Sequence, residues 1–266
     1  MKKILLISLI TSSVFSQTSN IFEPIDLFDL EYVSNTEISP SGDKVLYQRN
    51  YNDIMTDQSF SNIWLINYDG TNNRPITTGN YKDISPKWSN QGDKFIFQSN
   101  RDSKSQIFLF DLKNNSIQKL TNFQYSIQSI KWSPDDNYIL FSSFIDSKRE
   151  TLIKMPEKPK GAKWNDPPVE ISDLNYRYDN SGYRKPGEVQ FFTIPVSGGT
   201  PRQISNIKPE KRAGQAEWLG NDKIIFSANL NDDSDYNTNN SETFGLESGP
   251  SREVSASCFP DSKLRV

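Results

Sequence analysis

The chain contains no histidine and one cysteine, Cys258, among 266 residues. A Ser-His-Asp or Cys-His arrangement needs an imidazole to move the proton, so neither can be built here. Zinc sites draw on His or on several Cys, and neither set is available. A lone cysteine permits no intrachain disulfide, so packing must hold the chain together. The 30 basic and 33 acidic residues leave a net charge of −3 with no Lys/Arg stripe, which excludes the usual footprint of a nucleic-acid partner. No catalytic residue, metal-ligand set or cofactor is assigned from these residues.

Long apolar runs are also missing. The longest, Ile4–Phe15, is shorter than the roughly 20 residues that span a bilayer. It follows Lys2 and Lys3, and Val14 and Ser16 at its end are small enough for the −3 and −1 positions of a cleavage site. The order charge, apolar run, small residues predicts a secretory signal over residues 1–16, cleaved before Gln17. Export to a periplasmic or extracellular space follows from that reading, with no membrane span after cleavage. The alternative is a buried N-terminal strand. No Cys follows the run, which disfavours a lipid anchor.

What the chain has in abundance is one repeated phrase. "ISPSGDKVLYQ" begins at Ile38, "WSNQGDKFIFQS" at Trp88, "WSPDDNYILFSS" at Trp132 and "WLGNDKIIFSA" at Trp218. Trp88 and Trp132 are 44 residues apart, and Trp132 and Trp218 are 86 apart, or twice 43. Ile63 and Ile107, and Ile76 and Leu120, keep the same beat. Each unit reads as a short first strand, a turn, an alternating apolar strand, an aromatic strand, a second turn and a short strand ending in Thr or Ser. Four strands at a period of 40–45 residues mark a β-propeller blade. The Gly of "SPSGDK" and "SNQGDK" supplies positive φ at low cost, so the phrase is structural.

Counting copies places a third blade with "ETLIKMP" (150–156) and "PVEIS" (168–172), and a fourth with "QFFTIPVSGG" (190–199) and "RQISN" (202–206). The expected fold is all-β: an open arc of about four and a half four-stranded antiparallel blades. Residues 17–32 are a lead-in segment, 33–242 the partial propeller, and 243–266 a tail outside the repeat. The register is lost from about Thr243, which predicts a truncated or frame-shifted end. Ile224 and Phe226 are expected on the face left bare at that end, exposing the arc to aggregation.

Departures from a repeat are where such proteins carry function. "ISDLNYRYDNSGYRKPGEV" (171–189) replaces the standard phrase with an aromatic, Arg-bearing loop. Arg177, Tyr178 and Tyr183 are the candidate peptide-binding residues, an Arg among aromatics being suited to a peptide end; the alternative is packing on a blade edge. "NDDSDYN" (231–237) alternates Asp233, Asp235 and Asn237 like calcium ligands. Thr238 stands where the loop needs Gly and Phe244 where it needs Glu, which favours a solvated loop. "NNS" occurs at 114–116 and 239–241, sequons that matter only in a eukaryotic secretory pathway.

The segment "FEPIDLFDLEYVSNTEISPSGDKVLYQRN" (22–50), "SNIWLINYDGTNNRPIT" and "DLNYRYDNSGY" (173–183) together resemble the N-terminal propeller of the prolyl oligopeptidase family of serine peptidases, in its acylaminoacyl-peptidase and bacterial dipeptidyl-peptidase branch. The resemblance covers about residues 22–230. It implies a propeller that admits oligopeptides to an α/β-hydrolase domain whose Ser sits in a Gly-x-Ser-x-Gly elbow. No such motif occurs here, so no catalytic residue carries over, and the chain alone is expected to be inactive. A peptide substrate would then be a partner only through the missing catalytic domain. The blade phrase is shared with TolB-like periplasmic propellers, which leaves a second reading: a non-catalytic module that binds a protein partner. Nothing in the sequence sets the oligomeric state.

Overall fold

The computed structural model describes residues 22–147, 156–165, 171, 174, 176–179, 182–208, 212–234, 236–237, 240–247 and 257–258. The expected signal segment lies outside them. After a 3-10 turn at Pro24–Phe28, blade 1 comprises β1 (Glu31–Ile38), β2 (Lys44–Asp53), β3 (Gln58–Asn67) and β4 (Arg74–Pro75). Blade 2 comprises β5 (Asp83–Trp88), β6 (Lys94–Asp102), β7 (Lys104–Asp111) and β8 (Ser116–Lys119). Blade 3 begins with β9 (Ile127–Trp132) and β10 (Tyr138–Asp146), is interrupted by a small hairpin of β11 (Arg177–Tyr178) and β12 (Gly182–Tyr183), and resumes with β13 (Gly187–Pro195) and β14 (Arg202–Gln203). Blade 4 comprises β15 (Arg212–Leu219), β16 (Lys223–Asn229), β17 (Glu242–Glu247) and β18 (Ser257–Cys258). Each blade is a four-stranded antiparallel sheet. The first strands β1, β5 and β9 approach one another, whereas β4, β8 and β14 pack chiefly on their own blades. First strands therefore line the inside of the arc and fourth strands its rim.

Period-two alternation makes three cores from four sheets. A strand sends successive side chains to opposite faces, so Phe95 and Phe97 of β6 turn towards blade 1 while Ile96 turns towards blade 3. Phe95 and Phe97 pack with Leu46, Ile63, Leu65, Phe108 and Phe110. Ile96 packs with Ile107, Ile139, Phe141 and Phe192. Leu140 and Phe191, on the far face of blade 3, pack with Ile224, Phe226, Phe244 and Leu246. The rings are stacked at 5.7 Å for Phe97–Phe108 and 5.3 Å for Phe141–Phe192.

The copy count from sequence needs three corrections. β10 pairs directly with β13 over nine residues from Tyr138↔Pro195 to Asp146↔Gly187, so the expected third and fourth blades are one blade. An excursion over 147–186 separates its second and third strands and is itself close to a blade in length, which is why Trp132 and Trp218 mimic two periods. Within it, 150–155 and 168–170 lie outside the described residues. Next, the strand after Thr243 is not lost: β17 pairs with β16 from Ala228↔Glu242 to Lys223↔Glu247, and β18 follows through Phe244↔Cys258. Blade 4 thus continues past Thr243 through β17 and β18. Finally, Ile224 and Phe226 face back into the core with blade 3 rather than outward. Among the described residues blades 1 and 4 are not joined, and the arc is open. A half-covered face is on blade 1, where Ile38 is 64% exposed, Tyr47 stacks on Trp64, and Arg49 lies 4.8 Å above the same indole.

The repeated turn is stapled by its own side chains. The Ser39, Ser89 and Ser133 hydroxyls accept the amides of Lys44, Lys94 and Tyr138 at 2.9–3.2 Å and donate to Asp43, Asp93 and Asp135. The left-handed residue is Gly42 (φ 75°), Gly92 (φ 73°) and, in blade 3, Asp136 (φ 57°), the last consistent with the tolerance of Asp for this region. Asp136 reaches across to accept the Asn90 and Gln91 amides of the preceding turn. The short fourth strands end in Thr or Ser for a related reason. Thr77, Thr121 and Ser205 accept the amides of Ile63, Ile107 and Phe191 at 2.8–2.9 Å, replacing a carbonyl where the ladder stops. Gln106 and Gln190 then accept from Thr121 and Ser205, so these buried polar atoms are satisfied.

Phe97→Ala is expected to cost about 3–5 kcal/mol by opening a cavity between blades 1 and 2. Ile38→Ser on the uncovered face should stay within about 0.5 kcal/mol; urea unfolding of both variants measures the contrast. The turn carboxylates set an acid dependence. Hydrogen bonds from Lys44, Ser41 and Ser39 hold Asp43 below the ordinary carboxylate range, Lys94 does so for Asp93, and Ser133 for Asp135. A carboxyl with a depressed folded pKa contributes stability above its unfolded value of about 3.9 and loses it as pH falls through the folded one. Stability should therefore fall below about pH 4, and an Asp43→Asn/Asp93→Asn double variant should show a shallower fall in acid urea titrations.

Candidate functional site

The two ends of the arc are built differently. At one end, first and second strands are joined by the stapled Ser–Asp turns, and third and fourth strands by turns such as Asn67–Thr71, closed by a 2.9 Å backbone bond. A shallow cleft between blades 1 and 2 opens there, floored by Leu65 and Leu112 and edged by Arg74 and Lys113. At the other end, second strands lead into third strands and each blade crosses to the next. β6 and β7 are joined by Ser103 alone, with φ 69°. Blade 3 instead carries the 147–186 excursion, and blade 4 a connection over 230–241. Exposed Met55, Trp164, Leu174, Tyr183 and Tyr236 also belong to this end. The long, irregular connections thus lie at one end of a regular scaffold.

Arg177 and Tyr183 are opposite one another in the β11–β12 hairpin, and Tyr178 is opposite Gly182, which adopts φ 73°. The Tyr183 ring lies 6.4 Å from that of Tyr176, and both rings are about half exposed. The hairpin is tied down at its base. Arg184 donates its amide to the Tyr176 carbonyl at 2.8 Å, and Ser147 donates to Pro186 at 3.0 Å. The Arg184 guanidinium meets the Glu188 carboxylate at 2.8 Å, with both side chains largely buried. Gly187 seats the return strand at φ 146°; a Cβ there would lie 2.3 Å from the Ile145 carbonyl and 2.8 Å from the Phe144 ring. The tether therefore runs to β10 and β13, the middle strands of blade 3. Asp233 and Asn237 of the 231–237 loop hydrogen-bond each other, Asp235 and Thr238 lie outside the described residues, and no group of metal-binding side chains occurs among the described residues.

Sequence reasoning missed the inner wall. The residue before each Ile or Trp of the repeated phrase is charged: Glu37, Lys87, Lys131 and Glu217. Their registers against the second strands are equivalent, at Leu46, Ile96, Leu140 and Ile225. Lys87 pairs with Glu37 and Lys131 with Glu217, so salt bridges link neighbouring blades on the inside of the arc. All four side chains are partly exposed, which makes the bridges worth little to stability and leaves them accessible from the axis. A repeated bulge shapes the same wall. Two residues, Asn35 and Thr36, oppose Tyr47, and the same two-against-one count recurs at Ser85–Pro86 and Gly214–Gln215. Asn35 (φ 48°) and Ser85 (φ 53°) are left-handed at these bulges. Bulges of this kind re-aim side chains at sheet edges. The signal was a charged residue ahead of the Ile or Trp in each copy, visible only once the copies were aligned by register.

At the buried end of β5, Asp83 is fully enclosed and accepts two bonds from Arg101 at 2.9 and 3.0 Å. The same guanidinium lies 4.8 Å over Phe108 and 5.2 Å over Tyr81. This is a clamp within blade 2, with every group already engaged.

Comparison with known proteins places this architecture. Residues 32–162 match the model of the TolB beta propeller domain. A curated relative, Dipeptidyl-peptidase 5 of Porphyromonas gingivalis, is 26% identical over 97 residues, covering 36% of this chain and 14% of that protein. The Uncharacterized peptidase YuxL of Bacillus subtilis is 24% identical over 214 residues, covering 79% of this chain and 31% of that protein. Among solved structures, the uncomplexed acylaminoacyl peptidase of Pyrococcus horikoshii superposes with a TM-score of 0.62 at 18% identity, over 86% of this chain and 32% of that one. The chain thus spans about a third or less of these relatives. The propeller likeness read from the blade phrases is borne out at the level of fold.

Gly187→Ala is expected to destabilise the protein by more than about 1 kcal/mol, since neither the positive φ nor the facing carbonyl admits a methyl group. Limited proteolysis should then cut within 147–186 faster than in the unaltered chain.

Proposed function

We propose that this chain is the substrate-gating propeller portion of an exported serine peptidase that hydrolyses oligopeptides. The observation that carries the reading is the manner of the match. Most of the chain aligns with about one third of a named peptidase in sequence and of another in structure, while the chain has no histidine and no Gly-x-Ser-x-Gly. Chemistry would belong to a catalytic part outside these residues. The propeller would supply discrimination, with a rigid arc of packed sheets presenting a charged inner wall and an aromatic loop end. Arg177, Tyr178 and Tyr183 would meet the ends of peptides at that loop end. The order of charge, apolar run and small residues at the start supports export.

A specific observation favours a second reading. The matching domain model is the TolB beta propeller, consistent with a non-catalytic module that recognises a protein partner through the same irregular end.

The purified chain is expected to turn over neither a chromogenic dipeptide nor an acyl-amino-acid substrate. The gating role is tested in a protein that joins this propeller to a Gly-x-Ser-x-Gly hydrolase domain encoded beside it. Such a protein should cleave short peptides and spare denatured casein, and removing residues 31–247 should abolish that preference. If the DNA around the gene encodes no such domain in any frame, the binding-module reading replaces this one.

A further inference from the structure

The junction between blades 3 and 4 breaks a pattern that the other two junctions keep. Trp88 Nε1 donates to the Glu37 carbonyl at 3.1 Å, and Trp132 Nε1 donates to the Lys87 carbonyl at 2.9 Å. Each indole thereby ties its blade to the inner strand of the blade before it, at the residue of the charged ring. By register, Trp218 should donate to the Lys131 carbonyl. It does not: Trp218 Nε1 is buried from solvent and has no acceptor among the described residues. The backbone shows why. β5 packs on β1, β2 and β3, and β9 packs on β5, β6 and β7, whereas the packing of β15 is on β13, with no comparable approach to β9 or β10. The inner edges of blades 3 and 4 diverge, and the long side chains of Lys131 and Glu217 span the wedge.

The groups facing this wedge form a matched set. The indole N–H is a donor without an acceptor, a costly state for a buried group. Glu217, 60% exposed at its side chain, is an acceptor, and Lys131 a cation. Gln128 and Gln215 are exposed on the flanking inner strands. In an extended chain the N–H and C=O of one residue project to the same side, and would satisfy the carboxylate and the indole together. A simple anion would oppose Glu217, and an apolar ligand would leave the indole unpaired.

We propose that the inner wedge between blades 3 and 4 is a binding site for an extended peptide main chain, in which Trp218 Nε1 donates to a peptide carbonyl and Glu217 accepts a peptide N–H. This deepens the reading that peptides pass along the inner wall, and rests on it. Ile224 and Phe226 behind the indole hold blade 4 in place through the apolar core, so the site is carried by a packed sheet.

The test uses the full chain at sub-micromolar concentration and the capped, uncharged probe N-acetyl-trialanine amide. The difference between the fluorescence of the unaltered chain and of Trp218→Phe isolates the emission of Trp218. Titration is expected to shift that difference spectrum saturably, and Trp218→Phe to weaken binding by about threefold to tenfold, the loss of one neutral hydrogen bond. Glu217→Ala, at an exposed position that does not threaten the fold, should weaken it to a similar degree. Equal affinity for the unaltered chain and Trp218→Phe with an unmoved difference spectrum would overturn the site while leaving peptide passage intact. Failure of the probe to bind the unaltered chain at all would also overturn it. The gating reading itself fails by a different measurement, the casein-against-peptide preference of the joined protein.

Discussion

Burial between neighbouring sheets is the constraint on which everything else in this molecule rests. A single blade has two apolar faces and cannot cover either alone. The alternation Phe95-Ile96-Phe97 therefore commits blade 2 to two neighbours at once, and Leu140-Phe141 does the same for blade 3. Three cores among four sheets follow directly. With no disulfide available, this packing carries the fold. The uncovered faces of blade 1, with Ile38 beside the Tyr47–Trp64 stack, and of blade 4, with Leu219, are the remainder of the same arithmetic.

Packing sheets face to face would be costly if it stranded polar groups, and the repeats solve this with a small set of side chains. Serine hydroxyls and aspartates close the turns, Thr and Ser stand in for carbonyls where fourth strands stop, and glutamines complete the network. Indoles do the equivalent work on the inside of the arc, where Trp88 and Trp132 each reach the preceding backbone. Against that background the unpaired indole of Trp218 stands out as a departure in an otherwise closed account. It coincides with the one junction whose inner strands part.

The irregular connections are segregated from this machinery. The tight-turn end repeats with little variation, and the excursion and the long blade 4 connection lie at the opposite end. That separation lets a rigid scaffold tolerate an irregular surface. The hairpin bearing Arg177 and Tyr183 is held by Gly187, Arg184 and Glu188 at the base of blade 3. Its position is thus inherited from the middle of the sheet and not from the inner wall, where the Glu37, Lys87, Lys131 and Glu217 charges lie.

The sequence by itself determined the local grammar: strands from period-two alternation, turns from Ser-x-x-Gly-Asp chemistry, and the equivalence of Trp88, Trp132 and Trp218. These are set by residues within a few positions of one another, so they are legible without a fold. Which strand completes which blade was decided only in three dimensions. An interval of 86 residues reads equally as two blades or as one blade with a blade-length excursion, and only the pairing of β10 with β13 distinguishes them. The same holds for Glu242–Glu247, whose irregular sequence becomes a strand because β16 offers it a partner edge. Ile224 and Phe226 were legible as apolar strand residues but read onto the bare face, because the face they cover depends on the hand in which blade 4 docks on blade 3. Pairing and docking join residues far apart in the chain, and their outcome is fixed by which surfaces are left to bury.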